Sequence, residues 1–135
     1  MTLQYSDTVR NAKLDAVETA IGTSAVLKIR TGAQPANVAA ADSGTVLATL
    51  NLPSDWMAAA SGGTKAKSGT WQDASADAAG TAAHFRLYAS DGTTAHAQGS
   101  VTITAGGGDM TVDNTSFAAG QNFTVTAFTL TSGNP

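Results

Sequence analysis

The sequence predicts a mainly β domain, an antiparallel β-sandwich or jelly-roll-like barrel carrying one short N-terminal helix. Three observations predict it. Apolar residues recur at helical spacing only at the start of the chain, where Leu14, Val17 and Ile21 precede Gly22. Beyond Gly22 the period drops to two, in short runs separated by Gly, Asn, Asp and Ser clusters. The composition matches: 20 threonines and 14 glycines stand against only 13% charged residues, giving a surface that is hydroxylated more than ionic.

A chain of 135 residues has the size of one ordinary domain. Its core is expected to be thin. Of the 57 residues in the 42% hydrophobic fraction, 27 are alanine, and Leu, Ile, Val and Phe together number only 23. A net charge of -3 is too small to drive disorder by self-repulsion, so the expectation is a folded domain that gains further burial against copies of itself or another protein.

Taken in order, Ser6 or Asp7 can cap a helix over residues 8–21, with Gly22 as its C-cap and Arg10, Lys13, Asp15 and Glu18 on the face opposite the stripe. Too short to be stable alone, it must dock, either on its own domain or, the favoured reading, as an arm reaching a neighbour. The division is therefore a helical arm over 1–22 and a β-sandwich over 23–135. Residues 25–31 alternate, with Leu27 and Ile29 inward and Lys28 and Arg30 outward. A polar link leads to a strand over 46–52, ended by Pro53. Residues 55–60 and 64–71 flank Ser61-Gly62-Gly63 as a hairpin, in which Lys65 and Lys67 blunt an exposed edge.

Ala83, Phe85, Leu87 and Ala89 alternate against His84, Arg86 and Tyr88, and Asp91-Gly92 signals a tight hairpin into a strand over 95–99. Val101 and Ile103 are expected to pair with Met110 and Val112 across a flexible tip at Gly106-Gly107-Gly108. The last strand, over 122–130, changes phase between Ala127 and Phe128, which implies a bulge or a crossing between sheets.

Charge and composition exclude several classes of function. Seven basic residues against ten acidic ones cannot lay down the cationic stripe that nucleic acid requires. Apolar runs such as 46–50 fall far short of a membrane span, and residues 1–5 lack the features of a signal peptide. Without cysteine there is no thiolate chemistry. His84 and His96 face each other at best as half a metal site. Asp91, Asp109 and Asp113 lack the spacing of a calcium loop, and the triple glycine lacks the lysine and helix of a phosphate loop. The sequons at Asn114 and Asn122 are what chance produces in a threonine-rich chain. No enzyme signature is present, and no catalytic residue, cofactor or metal is expected. The candidate interface residues are Leu14, Val17, Ile21, Trp56 and Tyr88. Trp56 and Trp71 are read first as core anchors and second as a sugar platform or interface hot spot.

The segments Tyr5 to Glu18, Leu27 to Gly32, Leu52 to Met57 and Gly107 to Asn114 resemble small proteins encoded among the virion genes of tailed bacteriophages and prophages. The likeness covers nearly the whole chain. It implies a structural role in the particle, and a small β-sandwich of this size and composition is similar to capsid decoration or cement proteins. The partners it implies are a major capsid protein or other virion proteins and further copies of the chain, in a virion assembled from protein made in the host cytoplasm. A receptor- or glycan-binding module on a tail or fibre is the alternative.

Overall fold

The structure, a computed structural model, describes residues 2–133. Helix α1 spans Asp7–Ile21. It begins where Ser6 Oγ accepts the Val9 N–H and ends where Gly22 donates its N–H to Glu18 O. Ten strands follow: β1 Val26–Arg30, β2 Val46–Asn51, β3 Thr64–Ala66, β4 Gln72–Asp73, β5 Gly80–Thr81, β6 His84–Tyr88, β7 Ala95–Ile103, β8 Met110–Val112, β9 Ser116–Phe117 and β10 Phe123–Thr131. The chain is mainly β, 37% strand and 11% helix, as the periodicity implies.

Eight strands form one curled sheet in the order β2-β1-β6-β7-β8-β10-β3, with β4 also on β10, while β5 and β9 pair separately. The curl nearly closes, and one side-chain and one backbone bond link its ends: the Asp73 carboxylate on β4 accepts the Thr49 N–H of β2, and Asp77 N–H donates to Leu47 O. At the other end, β3 is bordered by the segment 57–61, where Ala58 N–H donates to Ala66 O.

The core fills the inside of the curl. All four phenylalanines and both tryptophans are buried, and Trp56, Trp71, Phe128 and Phe85 stack in sequence with ring centroids 6.0, 5.6 and 5.6 Å apart. Aromatic rings bury the largest area per residue, so a few of them offset the scarcity of Leu and Ile.

Several local expectations are corrected. The sheet is mixed, because β8 runs parallel to β7, with Val101 opposite Met110 and Ile103 opposite Val112. Parallel neighbours normally need a long crossover. Here six residues suffice, because β8 is short and the chain is folded tightly back on β7. Gly108 N–H donates to Thr102 Oγ1, while Asp109 accepts from Ser100 N–H and Oγ. A Cβ at Gly106 would lie 2.7 Å from Thr102 Oγ1, and Gly107 has φ of +83°, so the triple glycine is a pinned turn and not a flexible tip. Asp91-Gly92 sits inside a longer loop whose Thr93 and Thr94 amides are held by the Asp91 carboxylate. The phase change in β10 is an irregularity between Val125 and Ala127, where pairing to β8 slips by one residue.

Candidate functional site

Strands β1 and β6 lie side by side with Lys28 opposite Arg86 and Arg30 opposite His84. Alternation therefore sends Arg30, His84, Arg86 and Tyr88 to the face away from the core. Both arginines, His84 and Tyr88 are nevertheless buried, because the link between β1 and β2 folds over them.

Asp42, in that link, receives both guanidiniums. Arg30 Nη2 donates to Asp42 Oδ2 at 2.9 Å, Arg86 Nη1 to Asp42 Oδ1 at 2.5 Å, and Tyr88 OH to Asp42 Oδ1 at 2.7 Å. Backbone carbonyls complete the clasp, with Arg86 donating to Ala40 O and Val38 O and His84 Nδ1 donating to Gly32 O. Lys28 Nζ stands 5.0 Å from the Tyr88 ring centroid. Partial burial alone would raise the Asp42 carboxyl, but the hydrogen bonds from Tyr88 and Arg86 and the charges of Arg30 and Arg86 outweigh it and hold it below the usual range. Burial, followed by the adjoining Asp42 carboxylate, pushes the Tyr88 phenol up. Two permanent cations, an acid held ionised and a phenol held neutral bind one another and the loop above them. Chemically the cluster is a clasp for the loop.

The second polar constellation docks the helix. Lys65 Nζ lies 2.6 Å from Asp15 Oδ1 and 2.9 Å from Glu18 Oε2, with its side chain only 2% exposed. Desolvation would lower its pKa, but the bonds to the two carboxylates reverse the direction and raise it. The hydrogen bond from Lys65, then that from Ala60 N–H, holds Asp15 below its usual value. Glu18 accepts Met57 N–H, Asn11 accepts Gly63 N–H, Arg10 Nε donates to Ser132 O, and Trp56 Nε1 donates to Gly22 O. A cleft of about 660 Å³ lies beside these groups, lined by Asp15, Glu18, Asp55, Met57 and Lys65 among others.

Helix α1 therefore docks on its own chain through Leu14 and Ile21 together with the flanking Asn11, Asp15 and Glu18, where an arm reaching a neighbour was the favoured expectation. Of the candidate interface residues, Leu14, Ile21, Trp56 and Tyr88 are buried within the chain and only Val17, 37% exposed, remains at the surface. The reason is geometric. At about 100° per residue, Leu14 and Ile21 fall on one line, with Asn11, Asp15 and Glu18 around it, while Val17 is displaced by about 60° toward the outer side. The outer side carries Val9, Ala12, Lys13, Ala16, Val17 and Ala20, all exposed. On the preceding arm Leu3 and Tyr5 are 71% and 41% exposed, and the Tyr5 ring lies under Lys13 of this outer side. Lys65, expected on an open edge, is the buried counterion of the helix.

His96 is exposed and displaced from the β6 register, so the two histidines do not face each other. Asp91, Asp109 and Asp113 each hold local backbone amides, and among the described residues no group of three or more His, Asp or Glu is placed to hold a metal ion. Sequence reasoning missed Asp42 and Lys65. For Asp42 the only signal was two arginines at alternating strand positions, each needing a partner once covered. No protein-family model, curated protein or solved structure matches the chain.

Proposed function

We propose that the protein is a structural component of a tailed-phage virion, a capsid decoration or cement protein that holds to the particle through protein-protein contacts. The observation that carries this reading is the outer side of helix α1 and the arm before it: Leu14, Ile21, Asp15 and Glu18 dock the helix internally, while Leu3, Tyr5, Val9 and Val17 stay exposed beside Ala12, Ala16 and Ala20. Apolar side chains gathered on one exposed surface mark interaction sites more often than singly scattered ones do. The sequence resemblance to virion proteins supplies the class of partner. The glycan-binding alternative draws nothing from Trp56, Trp71 or Tyr88, since buried rings cannot stack on a sugar.

The test is to add the full chain to purified particles that lack it and to measure occupancy by quantitative electrophoresis. Val9→Asp with Val17→Asp is expected to abolish attachment while leaving the thermal unfolding temperature within a few degrees. Attachment undiminished by the two aspartates, or no attachment of the parent chain, overturns the proposal.

A further inference from the structure

The link from β1 to β2 is a strap with a closed neck. Thr31 N–H donates to Thr45 O, Thr45 N–H to Thr31 Oγ1 and Ser43 Oγ to Ala33 O, so residues 32–44 leave and rejoin the sheet at one point, as in a compact Ω-loop. Gly44 permits the neck, since its φ is +72° and a Cβ there would run into Thr31 O. Between its ends the strap sinks no side chain into the core. None of residues 33–43 is buried, and among the described residues no backbone-to-backbone bond ties them to the rest of the chain. Side chains reaching up from the sheet hold the strap down. Arg86 donates to Val38 O at 2.6 Å and Ala40 O at 3.0 Å, Gln98 Nε2 to Pro35 O at 2.8 Å and His84 Nδ1 to Gly32 O at 2.8 Å, while Arg30, Arg86 and Tyr88 donate to the Asp42 carboxylate.

This cover is incomplete. Four buried side-chain atoms without a partner, Arg30 Nε, His84 Nε2, Arg86 Nε and Gln98 Oε1, belong to residues beneath the strap, with Arg30 opposite His84 and Arg86 opposite Gln98 in the strand register. A buried polar group that lacks a partner opposes the state that buries it, and water would satisfy each of the four once the strap lifted. Opening the strap thus uncovers polar side chains and the Tyr88 ring, whereas unfolding the sheet exposes Leu27, Ile29, Phe85 and Leu87 on its other face. Segments with few buried apolar contacts open at a lower free energy than the domain as a whole.

We infer that residues 32–44 open and reclose as a unit while the sheet beneath stays folded, with Asp42 as the latch. Asp42 is the sole charged residue of the strap, and its carboxylate takes three of the donors that hold the strap down. Opened, the strap bares Arg30 and Arg86 beside Lys28 as a cationic patch that the closed form conceals. The inference concerns one segment of the chain and stands whether or not the protein belongs to a virion.

The two histidines supply a probe and its control. Diethyl pyrocarbonate acylates an accessible unprotonated imidazole nitrogen. His96 is exposed, whereas His84, 1% exposed, has Nδ1 committed to Gly32 O and presents Nε2 only when the strap lifts. Initial rates at each histidine are read by peptide mass spectrometry at constant pH, in rising urea below the unfolding transition. In the parent chain His84 is expected to react more slowly than His96, yet with a urea dependence well under that of global unfolding, since opening exposes little surface. Asp42→Asn is expected to raise the His84 rate about tenfold or more without urea and to leave the His96 rate unchanged, because neutral acceptors hold a guanidinium less strongly than a carboxylate does. Should Asp42→Asn unfold the protein, the urea dependence in the parent decides alone. His84 reacting as fast as His96, His84 reacting in step with global unfolding, or a His84 rate unmoved in a folded Asp42→Asn protein overturns the inference.

Discussion

Strands β1 and β6 are buried on both faces, and the two faces achieve it by opposite means. Inward, Leu27, Ile29, Phe85 and Leu87 enter a continuous apolar core. Outward, Arg30, His84, Arg86 and Tyr88 lie under a loop that contributes alanines, carbonyls and one carboxylate. The inner face draws on a non-directional force that needs only volume and shape. The outer face depends on directional bonds to one residue, Asp42, which alone supplies the negative charge for two buried guanidiniums. Redundancy separates them: the core spreads its energy over many side chains, and the clasp concentrates it.

The largest effect should therefore come from the core. Phe85 touches the aromatic row through Phe128, and its replacement by alanine is expected to cost about 3–5 kcal/mol. Urea unfolding of the Phe85→Ala protein checks this, and a loss under 1 kcal/mol breaks the comparison by showing that the core side repacks freely. Asp42→Ala comes next, at about 3 kcal/mol. Removing one member of a buried ion pair costs about 3–5 kcal/mol, and the lower end applies because Asp42 itself is 40% exposed and water offsets part of the loss. A sharper variant replaces the whole clasp, Arg30→Met, Arg86→Met and Asp42→Leu together. If directional bonds serve mainly to neutralise buried charge, this triple variant should equal or exceed the parent in stability.

The contrast between the faces also explains what was legible in the sequence. Alternation at 25–31 and 83–89 identified β1 and β6 and their inward residues, because that pattern is imposed by the pleat itself. It labelled Lys28, Arg30 and Arg86 as outward, which is correct for the pleat, but it carried no information about a loop lying above them. A link rich in Ala and punctuated by Gly, Pro, Asn and Ser looks like solvent-exposed chain, and only tertiary placement sets Asp42 over both arginines. For the helix, the spacing gives the span and the inward Leu14 and Ile21 but misplaces Val17 and the polar flank. Leu14, Val17 and Ile21 fit helical spacing, but three apolar residues define a stripe too loosely to exclude the alternative in which Asn11, Asp15 and Glu18 face inward toward Lys65. The parallel β7 and β8 pair was hidden by the short link between them, which ordinarily marks a hairpin.

Titration should separate the faces at both ends of the pH scale. Asp42 is held below the ordinary aspartate value of about 3.9, so its contribution is present above that value and is lost as pH falls through its lowered folded value. Tyr88 is raised above about 10, so its contribution is present below that value and disappears as pH climbs past the raised one. Asp42→Asn should flatten the acid limb of the stability profile in part, Asp15 and Asp91 also being lowered, and Tyr88→Phe the alkaline limb, each also weakening the other limb because the phenol and the carboxylate shift one another. Lys65, also raised, adds to the alkaline loss through the helix, so Tyr88→Phe flattens that limb in part. An acid limb unaltered in Asp42→Asn would move the pH sensitivity away from the clasp.

The smallest expected effect tests where the clasp ends. Lys28 is half-buried at the rim of the outer face, with its ammonium over the Tyr88 ring. A cation over an aromatic face at a partly exposed site contributes about 0.5–1 kcal/mol, and the lysine stem covers apolar surface besides. Lys28→Gln keeps most of the stem and removes the charge, so it is expected to cost less than about 1 kcal/mol. Lys28→Arg should restore the loss, since a guanidinium stacks on the ring equally well. The distinction matters because Lys28 sits opposite Arg86 in the β1 and β6 register, adding a third cation to a face with one carboxylate. If like-charge repulsion from Arg86 outweighed the ring contact, Lys28→Gln would stabilise the protein, with the gain shrinking as salt is added. A loss that Arg restores, measured by urea unfolding at low and moderate salt, places Tyr88 in two roles: its hydroxyl holds Asp42 beneath the loop, and its ring neutralises the rim.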